Sequence, residues 1–170
     1  SRPILAGSLV LFILITCFLI TFICLFSDFL IVFISTKEYI EAVYILLPLL
    51  FFNLFHGIGL ITTLGINISK KTYYSAISYF VGFLISILLI FFTIKDFGIV
   101  AVAWSLFIGS LLFMIVETTI AQKILFIPWV FSKISIYILI IFIFFIFYFN
   151  FFLNLMNYGY IYKITILLIL

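Results

Sequence analysis

The only histidine in the chain, His56, stands in an apolar run that also holds Asn53, Gly59, Thr63 and Asn67. At about 100° per residue these positions fall within roughly a third of one helix circumference, and the opposite face is Leu, Ile and Phe. Two carboxamides, an imidazole and a hydroxyl so grouped can hydrogen-bond a polar cargo, with His56 as the titratable member. They can equally bond across a seam to a neighbouring helix. In hydrocarbon a polar atom needs one partner or the other. Asn53, His56, Thr63 and Asn67 are therefore candidates for a substrate-cavity wall.

Catalytic chemistry has little to work with. There is no acidic pair at an intramembrane spacing, no glycine-rich phosphate loop and no metal-ligand pattern. An enzyme is not expected, nor a cofactor, a metal or a nucleic-acid partner. Cys17 and Cys24 share one predicted helix, where the rise alone separates them by about 10 Å, beyond disulfide reach. They read as small core residues.

The elements that must carry the polar stripe follow from composition. Hydrophobic residues make up 69% of the chain and charged residues 8%, with a mean hydropathy of +1.59. Such a chain cannot cover a water-facing surface, so lipid is its solvent. Backbone groups in lipid must be satisfied internally, by helices or closed barrels. The apolar runs are continuous, as in Ile138 to Phe149, rather than alternating as barrel strands would be. The expected fold is an all-α integral membrane protein, one bundle of about six transmembrane helices.

Charged and polar residues punctuate the spans, which are expected at about 4–26, 42–66, 73–94, 99–121, 134–153 and 161–170. Asp28 and a short apolar piece follow the first, before Ser35-Thr36-Lys37-Glu38. Ser69-Lys70-Lys71-Thr72 ends the second, and Lys95-Asp96-Phe97-Gly98 turns the third into the fourth. The connector from Gln122 to Lys133 mixes lysines with Phe126, Trp129 and Phe131, which suits a segment lying at the interface or an ordinary loop with aromatic-belt residues. The last span is too short to cross, and the first is preceded only by Ser1, Arg2 and Pro3. Both ends predict a piece of a longer protein, cut inside its final helix.

Small residues recur every fourth position in the third span, at Ser78, Gly82 and Ser86, and in the fourth, at Ala101, Ser105 and Gly109. Such ladders let helix backbones approach closely. Glu117, about one turn inside the end of the fourth span, is expected as an interfacial charge neutralised by Lys123 or another basic residue; Asp28 is expected to be interfacial too. Alternate loops differ in charge. One side receives Arg2, Lys70, Lys71, Lys123 and Lys133 without an acidic residue, the other Lys37 and Lys95 with Asp28, Glu38, Glu41 and Asp96. Basic loops favour the cytoplasm, which places the N-terminus of this segment and Lys70-Lys71 on the cytoplasmic side of the plasma membrane.

In sequence order, several features resemble the C-terminal half of polysaccharide flippases of the multidrug/oligosaccharidyl-lipid/polysaccharide export superfamily. Lys37-Glu38-Tyr39-Ile40-Glu41-Ala42 is similar to that family's Tyr-x-x-Ala entry to a span, and Lys70-Lys71-Thr72 to its basic-Thr turn. Asp96-Phe97-Gly98-Ile99-Val100-Ala101-Val102-Ala103 resembles its Tyr-Gly-Ile-x-Gly-Ala-Ala hairpin, with Ala101 where Gly is frequent and Lys95 where Pro is frequent. The likeness runs from about Ile4 to Lys133 and continues only as hydropathy. It implies the second half of a twelve-or-more-helix, pseudo-symmetric transporter, whose N-terminal helical half would be a partner. It implies flipping of a lipid-linked oligosaccharide by alternating access, for polysaccharide biosynthesis. Lys70, Lys71, Lys123 and Lys133 are then available to the lipid pyrophosphate, although topology alone also accounts for them. Alternatives are a multidrug or small-molecule exporter of the same superfamily, a membrane glycosyltransferase or polymerase, and a membrane scaffold.

The charge alternation sets a test. Alkaline phosphatase fused after Asp96 should be active in a bacterial host, and fused after Lys71 it should be inactive; the reverse pattern would invert the assigned orientation.

Overall fold

The structure, a computed structural model, describes residues 2–34, 43–127, 139 and 143. Among these, all regular structure is helical: α1 (Arg2–Leu25), α2 (Ser27–Ile34), α3 (Val43–Thr62), α4 (Leu64–Ile68) and α5 (Tyr73–Ile124). Three stretches are long and apolar enough to cross a membrane, Ala6–Leu25, Ile45–Ile68 and Tyr73–Ile124. The expected spans at 134–153 and 161–170, the Lys37-Glu38 turn and Lys133 lie outside the described residues, apart from the helical and outward-facing Leu139 and Ile143.

α1 is apolar on all sides, as a lipid-solvated helix must be. Leu9, Ile13, Cys17, Ile20 and Cys24, at helical spacing, pack against Leu47, Phe51, Leu54, Phe55 and Ile58 of α3. Its other face exposes Leu11, Leu14, Ile15 and Phe18. Both cysteines are free and buried in this core, as their spacing suggested. The Phe12 ring fills the place where a Cβ on Gly57 would stand, so that glycine sets how closely α1 and α3 approach.

α5 is a folded hairpin rather than one straight rod. Ser86 Oγ donates to the carbonyl of Ser105 at 3.3 Å, a pair that a straight helix would hold about 28 Å apart. Gly98, at φ 56° and ψ −134°, supplies the reversal with a left-handed backbone that a side chain disfavours. The arms, residues 73–97 and 99–124, therefore run antiparallel, and each is long enough to cross. The two small-residue ladders of the sequence turn out to be the halves of one seam. Ser78, Gly82 and Ser86 are buried on the first arm, and Ala101, Ser105 and Gly109 on the second. At the crossing a Cβ on Gly82 would come within 2.8 Å of the Gly109 carbonyl, and one on Gly109 within 2.6 Å of the Gly82 carbonyl.

The expected span at 42–66 is interrupted at Thr63, where a turn separates α3 from the short α4. α4 closes with the Lys70 amide on the Asn67 carbonyl at 3.0 Å and the Lys71 amide on the Ile66 carbonyl at 3.2 Å. This is a Schellman closure, with Lys70 at φ 55° in the place usually given to glycine. Gly65 of α4 lies against the Ala121 carbonyl and Leu125 at the end of α5. Lys70, Lys71 and Lys123 accordingly share one end of the bundle, and Lys95 and Asp96 turn at the other.

Packing at the glycine crossing predicts an asymmetric response. Gly109→Val, which drives carbons into backbone and Ser86, should destabilise the detergent-solubilised protein by about 3 kcal/mol or more. Gly7→Ala, where nothing lies within 4 Å of a new Cβ, should leave the melting temperature unchanged or raise it slightly, worth up to about 1 kcal/mol.

Candidate functional site

Polar side chains converge where α3 and α4 face both arms of α5. A groove of about 210 Å³ is lined there by Phe52, His56, Tyr79, Ser86, Ser110 and Phe113, among others. The half-buried His56 ring lies 5.8 Å from Phe52, 5.7 Å from Tyr79 and 5.2 Å from Phe113, centre to centre. Tyr79 stacks on Phe113 at 4.3 Å, bridging the arms. The Ser86 hydroxyl proton is shared between the carbonyls of Gly82 at 3.0 Å and Ser105 at 3.3 Å, and that of Ser110 goes to the Phe107 carbonyl at 2.8 Å. Their oxygens keep lone pairs that can accept. Among the described residues neither ring nitrogen of His56 is hydrogen-bonded. The groove thus offers aromatic faces, an imidazole and hydroxyl acceptors within an otherwise apolar wall.

Toward the Lys70 end the same interface holds a fully buried carboxyl, Glu117. Thr63, in the turn between α3 and α4, donates its hydroxyl to Glu117 Oε1. Ser75 on the first arm donates to the same oxygen at 2.6 Å, and the two hydroxyl oxygens lie 2.9 Å apart. Beside them Thr62 and Thr118 share a hydrogen bond of 3.0 Å, and Thr62 also reaches the Gly59 carbonyl at 3.0 Å. Oε2 of Glu117 is buried with no hydrogen-bond partner among the described residues. One carboxyl so ties α3–α4 to both arms of the hairpin.

The stripe anticipated along the second span divides. His56 and Thr63 face α5, one at the groove and the other at Glu117. Gly59 packs under the Phe113 ring. Asn53 and Asn67 are exposed; Asn53 donates to the Leu49 carbonyl of its own helix at 2.8 Å. Lys70, Lys71 and Lys123 are exposed. Glu117 corrects an expectation. It is not an interfacial charge held by Lys123: the carboxyl is fully buried and bonded to Thr63 and Ser75, while Lys123 is exposed. Its neighbours one turn either way, Phe113 and Ala121, are buried with it.

The site and fold define an all-helical protein with long apolar helices suited to a membrane and a polar interface enclosed between them. Comparison of the chain with protein-family models, curated proteins and solved structures finds no match.

The Thr62–Thr118 pair gives a clean test of the seam. Thr62→Val should cost about 1–2 kcal/mol by stranding the Thr118 hydroxyl, and Thr118→Val less, because Thr62 keeps the Gly59 carbonyl. The double variant should recover most of that loss in thermal unfolding, a coupling that independent sites would not show.

Proposed function

We propose that the protein translocates a lipid-linked oligosaccharide across the cytoplasmic membrane, as part of an alternating-access carrier that pairs this bundle with a second one. The observation that carries the reading is the groove at His56. A sugar presents hydroxyls around its rim and C–H groups on its faces, and aromatic rings beside an imidazole suit both. A few polar groups in an apolar, concave wall are the usual make-up of a small-molecule site. The resemblance of residues 4–133 to polysaccharide flippases points the same way.

Lys70, Lys71 and Lys123, gathered at one end, suit the pyrophosphate of such a cargo as it enters from an anionic cytoplasmic leaflet. Lys70 adds a detail. Its left-handed backbone costs about 1 kcal/mol relative to glycine, so a basic side chain is held there at some expense to stability. A second reading, export of a small molecule coupled to a cation, draws support from the buried carboxyl of Glu117.

Complementation tests the first reading. The full-length gene is expressed in a bacterium deleted for its lipid-linked oligosaccharide flippase, and surface polysaccharide is scored. Restoration is expected, falling at least about tenfold with His56→Ala in a normally inserted protein. Asn53→Ala, whose carboxamide bonds its own helix, should fall less. No restoration with several sugar types, despite correct insertion, would overturn the flippase reading in favour of small-molecule export.

A further inference from the structure

The hydrogen-bonding at Glu117 is one proton short. Glu117 Oε1, Thr63 Oγ1 and Ser75 Oγ form a triangle in which every pair is in hydrogen-bonding contact. Two hydroxyls bring two hydrogens to three contacts. With the carboxyl ionised, both hydroxyls point at Oε1, and the Thr63 and Ser75 oxygens face each other at 2.9 Å with lone pairs alone. A third hydrogen, on the carboxyl, closes the ring: Glu117 donates to Ser75, Ser75 to Thr63 and Thr63 back to Glu117.

A second observation is independent of that count. Oε2 is buried without a hydrogen-bond partner, and no ion pair to Glu117 exists among the described residues. An ionised carboxyl would leave part of a full charge bare among helices solvated by lipid, whereas a neutral one leaves only a weak acceptor. We infer that Glu117, Thr63 and Ser75 form a proton-binding site, loaded when α4 and the two arms of α5 are closed on one another as in this structure.

Loading is a simple transfer. Hydronium at the aqueous end gives its proton to the carboxylate, an O–H bond forms on Glu117 and water is left. The route is short, because Thr63 and Ser75 are themselves only half-buried and lie toward the end that carries Lys70, Lys71 and Lys123. α4 spans only Leu64–Ile68 and ends at Lys70, so the site lies within two turns of the end of its helix. Groups facing the site from the packed elements are the hydroxyls of Thr62, Thr63, Ser75 and Thr118, and Tyr79 of the first arm stacks on Phe113, one turn from Glu117. His56 lies further along α3 beside Phe113, and the lysines stay outside. That this proton is exchanged for cargo rests on the transport reading; the binding of the proton does not.

Infrared spectroscopy of the intact protein in phosphatidylcholine vesicles separates the two. In mildly acidic buffer the wild type should show a protonated-carboxyl stretch, shifted by D2O, that fades as pH is raised and is missing from Glu117→Gln. Ser75→Ala and Thr63→Val, which keep the acid and remove one ring partner, should move that band to higher frequency. They also serve if Glu117→Gln does not insert. A spectrum unaltered by Glu117→Gln, or a band indifferent to both ring variants, overturns the inference. A carboxylate band that responds to sodium and not to pH overturns it in favour of an alkali cation. Failure of complementation with the band intact would remove the flippase reading and leave the proton site standing.

Discussion

Hydrocarbon supplies no hydrogen bonds, so every polar atom this chain carries within its helices has to be met by protein. Many hydroxyls are met locally. Thr21, Ser78, Thr93, Ser105 and Ser110 return their protons to carbonyls three or four residues back, which satisfies them without fixing any neighbour. Thr62, Thr63, Ser75, Ser86 and Thr118 reach across helices. All of them lie on α5 or on the part of α3–α4 that faces it. The polar contacts thereby select which surfaces meet, while α1 joins α3 through apolar side chains such as Ile13, Cys17, Phe51 and Leu54.

Lipid also removes the hydrophobic drive between helices, which leaves packing to hold them. Glycine provides it by two routes. At Gly82 and Gly109 backbone meets backbone, and the arms of α5 come as near as helices can. At Gly57 and Gly59 an aromatic ring, Phe12 or Phe113, enters the vacant Cβ position. The first makes the hairpin a stiff unit. The second seats α3 against α1 on one side and against that hairpin on the other.

Much of this was legible in the sequence. Continuous apolar runs and the Lys95–Gly98 punctuation located the described spans and the reversal, because charge is so scarce that each charged residue carries information. The ladders at Ser78–Ser86 and Ala101–Gly109 were legible as close-packing devices, but their mutual pairing needed the register that the Gly98 turn imposes. Thr63 gave no warning of its turn, lacking the glycine or proline that usually marks one. Lys70 gave none either, since a lysine at positive φ runs against its preference. Glu117 was misjudged because only its distance from the helix end could be weighed; the partners that enclose it, Thr63 and Ser75, come from other segments and are fixed by the fold.

The placement of these features gives the α3–α5 interface a direction in which to open. At the glycine crossing, parting the arms exposes backbone and the small side chains of a tight seam, with nothing to replace the lost contacts. At the Lys70 end, the groups that would be uncovered are Thr62, Thr63, Ser75, Thr118 and Glu117, five side chains that water solvates well. Uncovered to lipid they would each cost about 1–3 kcal/mol, but facing water they recover nearly all of it. The exposed lysines mark that end as one that meets water. Separation of α3–α4 from the hairpin is therefore cheapest where polar residues and water meet.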